Sequence, residues 1–126
     1  MKYNSICVIG LGYIGLPTAS MFATHGLKVV GVDVNKAVVE TLQQGKIHIH
    51  EPGLQTLVSA AINSGNLVIS EEPQAADAFI IAVPTPILDD KKADMSYVVS
   101  ATEAIVPYLK KDDLVILEST SPPRTT

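Results

Sequence analysis

Apolar residues in this chain fall into two alternating patterns. Short runs such as "ICVI", "KVVGV" (Lys28–Val32), "LVIS" (Leu67–Ser70), "AFIIAV" (78–83) and "LVILE" (114–118) are apolar at almost every position. A strand covered by helices on both faces has that composition. Between the runs, apolar positions return at helical spacing. The pattern predicts a first helix over residues 13–25 with Gly26 as its left-handed stop, and a second opened by Asn35 and ended by Gly45. Leu54, Leu57, Val58, Ala61 and Ile62 recur at i, i+3, i+4, i+7 and i+8, the clearest helical period in the chain. A fourth helix, capped by Asp94, carries Val98, Ile105, Val106 and Leu109, with Pro107 disturbing its last turns.

Strands alternating with helices imply a parallel sheet with right-handed crossovers, an α/β fold of the doubly wound, Rossmann-like kind. One connection is short. Residues 71–77 must carry the chain from the third strand to the fourth, where a parallel crossover usually takes about a dozen residues. Either a single turn at "PQAA" suffices or the strand boundaries are shifted. Doubly wound dinucleotide folds usually have six strands, so a chain stopping after the fifth is expected to be an incomplete domain over 1–126. An uncovered sheet edge is then expected to favour association.

Composition narrows the ligand classes. With 126 residues, 47% of them hydrophobic and 17% charged, the chain is too apolar for disorder and suits one domain. A net charge of −4 and the absence of a Lys/Arg cluster exclude a nucleic-acid surface, so any anionic ligand must be held by local geometry. No apolar run approaches the length of a membrane span, and no leader is readable. The lone Cys7 lies in the apolar "ICVIG", which suits a buried thiol and a reducing cytoplasm.

Candidate chemistry begins at "GLGYIG". The motif G-x-G-x-x-G falls on the turn from the first strand to the first helix. Gly10 permits the tight turn, Gly12 lets a pyrophosphate approach the backbone, and Gly15 lets helix and strand pack closely. Phosphates then sit at the helix N-terminus, against free N–H groups. Asp33, at the end of the second strand, suits the adenosine ribose hydroxyls and repels a 2′-phosphate, so NAD is favoured over NADP. Lys36 is a nearby cation better explained as a solvated helix residue. A methyltransferase binding S-adenosylmethionine is the competing reading of the glycine turn.

Beyond the glycines, "VIGLGYIGLP", "VGVDVN", "EPGL", "VPTP", "DMSYV" and "ESTSP" occur in an order that resembles the N-terminal domain of the UDP-glucose/GDP-mannose dehydrogenase family. "KIHIHEPGL", "FIIAVPTPI" and "VILESTSP" look most like the branch acting on UDP-N-acetyl-D-mannosamine. The resemblance implies oxidation of a nucleotide-sugar C6 alcohol to a carboxylate by two hydride transfers to two NAD, through an aldehyde held on a cysteine. UDP-glucose and UDP-N-acetylglucosamine are the alternative substrates, and a homo-oligomer is the implied assembly. Residue by residue, it implies that Gly10, Gly12, Tyr13, Ile14 and Gly15 cradle the pyrophosphate and that Asp33 holds the ribose. Thr85 would lie near the cofactor; Ser119 and Thr120 would lie near the nicotinamide, with Thr120 helping to position catalytic water.

Several of these residues also have plain structural explanations. Pro84 and Pro86 can stop a strand, Ser119 and Thr120 can form a turn before Pro122, and Glu51 can open a helix. His48 and His50 alternate with Ile47 and Ile49, and without a carboxylate or thiol partner they are expected to be solvated loop residues. Arg124 stands where the family usually has glycine. The family's catalytic cysteine, lysine, asparagine and aspartate come from later segments, so these residues are expected to bind cofactor without completing the reaction. A non-catalytic NAD-binding or sensing module is the alternative from another class.

Overall fold

The five apolar runs form five strands in the computed structural model, which describes residues 4–12, 14–49, 51–82, 96–110 and 113–117. They are β1 (Ser5–Ile9), β2 (Lys28–Val32), β3 (Leu67–Ser70), β4 (Ala78–Ile81) and β5 (Leu114–Leu117). Every pairing is parallel and the order is β3-β2-β1-β4-β5, so β1 is central. Val8 stands between Gly31 of β2 and Ile80 of β4. This is the Rossmann-like α/β sheet that the alternating pattern predicts. β4 stops two residues before the predicted end at 83; Ala82 still donates its N–H to Ile9 at 2.8 Å, and Val83 lies outside the described residues.

The helices are α1 (Gly15–Thr24), α2 (Lys36–Gln43), α3 (Leu54–Asn63) and α4 (Ser96–Ile105). Asn35 caps α2: its side-chain oxygen accepts from Ala37 N at 2.9 Å and Val38 N at 3.4 Å. A single 3₁₀ turn, Val106–Tyr108, follows α4 where Pro107 lacks the N–H that another α-turn would use. The predicted cap Asp94 lies outside the described residues. Period-two alternation in β1 divides its side chains between two cores. Ile6 and Val8 face α1, α2 and α3, whereas Cys7 and Ile9 face Ala101 and Ile105 of α4.

The short connection forms no helical turn, and the strand ends that flank it, Ser70 and Ala78, stand where the sequence places them. Residues 71–77 pass from β3 to β4 without helix, and Ala76 joins the core beside Cys7 and Phe79. Non-helical chain spans up to about 3.3 Å per residue against 1.5 Å in a helix, so seven residues can return across the sheet. The expected turn at "PQAA" is thereby corrected. At its end Asp77 ties three strands together. Its Oδ2 accepts from Asn4 N at 2.8 Å and Ser5 N at 3.3 Å, and its carbonyl accepts from Leu114 N at 3.1 Å.

Candidate functional site

At the opposite, carboxyl end of the sheet, the loops after β1 and β2 meet. Gly10 takes φ 100°, a conformation that a side chain would oppose, and donates its N–H to Val32 at 2.7 Å. Asp33 joins both loops: Oδ2 accepts from Leu11 N and Oδ1 from Asn35 N, each at 2.9 Å. A carboxylate has about four acceptor positions, so both oxygens keep capacity for further donors.

The other two glycines differ in what surrounds them. A Cβ at Gly15 would run into the Gly10 carbonyl and lie 3.3 Å from Ala82 Cβ, so α1 can approach the sheet only without one. A Cβ at Gly12 would meet nothing within 4 Å. The space beside Gly12 is open, which suits a ligand that contacts backbone. Ile14 immediately precedes α1, whose first turn contains no acidic side chain to oppose an anion at its N-terminal N–H groups.

These loops border a cleft of about 440 Å³ that reaches from Gly10 and Gly12 past Asp33 to Ala101 of α4. That volume lies within the usual range for small-molecule sites. Val34, 90% exposed, stands at its border. Apolar walls and a glycine turn suit a dinucleotide, whose phosphates would lie at the α1 N-terminus and ribose hydroxyls at Asp33; a second carboxylate, Glu71, also lines the cleft. Of the sequence-based candidates, Gly10, Gly12 and Asp33 line this cleft, while Ile14 and Gly15 stand at the start of α1 and are not part of its lining. Tyr13, Thr85, Ser119 and Thr120 lie outside the described residues, as do Pro84, Pro86, His50 and Arg124.

His48 departs from the sequence expectation. It is half-buried and lines the cleft, and its Nδ1 is buried without a hydrogen-bond partner. Its neighbours Ile47 and Ile49 pack on the core, which anchors the segment. The alternation of Ile and His carried that signal, but a local pattern does not say what stands opposite. Lys36 and Glu51 are exposed, as expected of helix-opening residues. Cys7 is fully buried; desolvation pushes its thiol above the ordinary range, with the Gln74 backbone pulling less strongly the other way. No helix among the described residues is long and apolar enough to cross a membrane.

Comparison with known proteins agrees with this geometry. Residues 4–126 match the model of the UDP-glucose/GDP-mannose dehydrogenase family, NAD binding domain. The chain is 58% identical over 127 residues to a UDP-N-acetyl-D-mannosamine dehydrogenase of Methanococcus maripaludis, covering 98% of this chain and 30% of that protein. It is 55% identical over 122 residues to an NDP-N-acetyl-D-galactosaminuronic acid dehydrogenase of Ralstonia nicotianae, covering 97% and 29%. Among solved structures, the UDP-N-acetyl-mannosamine dehydrogenase of Staphylococcus aureus superposes with a TM-score of 0.90 at 50% identity, over 96% of this chain and 30% of that one. The chain thus spans about 30% of the length of these relatives. A five-stranded parallel sheet, a glycine turn at its centre and a match over nearly every residue agree: the chain belongs to the UDP-glucose/GDP-mannose dehydrogenase family and corresponds to its NAD binding domain.

Proposed function

We propose that this chain is the cofactor-binding part of a cytoplasmic, homo-oligomeric NAD-dependent dehydrogenase that oxidises the C6 alcohol of UDP-N-acetyl-D-mannosamine to the carboxylate, using two NAD per sugar. The observation that carries the cofactor assignment is the Asp33 carboxylate, held between two loops at the border of an apolar cleft that begins at the glycine turn. The sugar assignment rests on the relatives, since two of the similar proteins bear that substrate in their names.

NAD, when bound, supplies the hydride acceptor. This chain's residues then bind and orient it. Backbone N–H groups at the start of α1 hold the pyrophosphate, with Gly12 leaving the approach open. Asp33 accepts from the ribose hydroxyls and repels a 2′-phosphate. Thr85, Ser119 and Thr120 are proposed to stand near the nicotinamide, with Thr120 as the water-positioning group. Cys7 is unsuited to covalent chemistry, because its buried thiol is held protonated and lies away from the cleft's glycine turn, within β1. The nucleophile is therefore proposed to come from segments beyond residue 126, and residues 1–126 to bind cofactor without turnover.

Calorimetric titration of the purified chain with NAD, NADP and S-adenosylmethionine tests the reading. Selective NAD binding is the expected result. Preference for S-adenosylmethionine, or no binding of NAD by a folded chain, would overturn it.

A further inference from the structure

The segment between α2 and α3 brings to the cleft a side chain that neither the glycine turn nor Asp33 explains. Ile47 and Ile49 on either side of His48 pack against the core under α1 and α3, so the histidine is fixed from both neighbours. It lines the cleft together with Gly12, Asp33 and Asn35, and its buried Nδ1 has no hydrogen-bond partner. Folded chains retain few such atoms, and those they retain usually serve water, an ion or a ligand. None of the other polar groups lining the cleft bonds to His48 Nδ1: Asp33 accepts from Leu11 and Asn35 N–H, the Asn35 side chain caps α2, and Glu71 and Ser100 complete the polar lining. Turning the ring over about χ2 exchanges Nδ1 with a ring carbon, so a ligand can select either face of the imidazole.

The geometry points to His48 as a cofactor-contact residue that hydrogen-bonds the adenosine half of the dinucleotide, from a segment separate from both nucleotide-binding loops. This rests on the NAD reading above and deepens it. Adenosine offers ribose hydroxyls and ring nitrogens, and a neutral imidazole carries one donor and one acceptor, so the two match. The cleft is then closed around adenosine on a side where the sequence motif places no residue.

The test compares wild-type chain with His48→Ala and His48→Asn, titrated with NAD and with ADP-ribose, which lacks nicotinamide. Thermal melts monitor folding. His48→Ala is expected to weaken both ligands by the same factor, roughly five- to tenfold. His48→Asn, whose amide sets a polar atom near the Nδ1 position, is expected to recover most of that loss. In long-range ¹H–¹⁵N correlation spectra of the unaltered chain, the His48 nitrogens shift on NAD saturation while those of exposed His25, bonded to the Met21 carbonyl at 2.8 Å, do not. Should both variants bind NAD like wild type, or the His48 nitrogens stay unmoved at saturation, the contact is wrong while the NAD reading survives. A folded wild type that does not bind NAD overturns both. If His48→Ala fails to fold, the asparagine variant and the spectra decide.

Discussion

Replacing Asp33 with alanine removes a group to which the structure gives two tasks, and the tasks separate by assay. The folded chain loses the acceptors of two backbone N–H groups, Leu11 N and Asn35 N, each at 2.9 Å. Hydrogen bonds to a charged group contribute about 1.5–3 kcal/mol when buried. The Asn35 site is exposed and rehydrates, so the loss falls on the part-buried Leu11 N–H and comes to about 2 kcal/mol. For a chain of this size that lowers Tm by about 8 °C. Binding loses more. Two ribose hydroxyls donating to one carboxylate are worth about 3 kcal/mol together, or about a hundredfold in NAD affinity. NADP, repelled by the carboxylate in wild type, loses little, so the preference for NAD collapses. Asp33→Asn keeps one acceptor oxygen and sets its NH₂ against one of the two N–H groups, giving intermediate values. Calorimetry measures affinity below the melting range, and scanning calorimetry measures Tm. NAD affinity within about twofold of wild type in Asp33→Ala would refute the ribose assignment. An unchanged Tm would refute the loop clamp.

Four further substitutions test the same structure. Gly15→Ala, with its Cβ against the Gly10 carbonyl, is expected to destabilise the fold by about 3 kcal/mol or more, whereas Gly12→Ala stays within about 0.5 kcal/mol of wild type in denaturant titration yet loses at least about tenfold in NAD affinity. Asn35→Ala removes the α2 cap and should cost about 1 kcal/mol, read as a lower denaturation midpoint. Because burial raises the Cys7 thiol, the folded state holds its proton while the unfolded state ionises first. Stability is therefore full below the ordinary thiol range and falls as pH rises from there through the raised value. Cys7→Ala should abolish that alkaline slope in melts taken across pH, and native Cys7 should react with a disulfide reagent only at the rate of unfolding.

The sheet was legible because burial on both faces demands apolar runs, and five such runs in "ICVI", "KVVGV", "LVIS", "AFIIAV" and "LVILE" leave few alternatives, though β4 ends two residues short of its run. The amphipathic period of Leu54, Val58 and Ala61 announced α3 for the same reason. Residues 71–77 were misjudged because parallel crossovers usually use helices, and a periodicity argument cannot see a chain that crosses without one. Asp33 shows the middle case. Its place after β2 marks a ribose acceptor, yet nothing local says that its oxygens also join the two loops, since Leu11 is 22 residues away. His48 was hidden for a related reason: its environment comes from distant elements, and only the alternating isoleucines marked it as anchored.

Asp77 gives the fold a schedule. β1 is the first strand made, yet it sits at the centre of the sheet and its amino-terminal end is tied down by a carboxylate 72 residues later. At synthesis rates of about 5–20 residues per second, several seconds pass between the emergence of Ser5 and that of Asp77. Through that interval β1 can pair with β2 on one side while its other side stays bare, a template for unwanted strands. Nascent-chain intermediates arrested before residue 77 should therefore be protease-sensitive at the N-terminus, and β1, although made before β2 and β3, is sealed only after both.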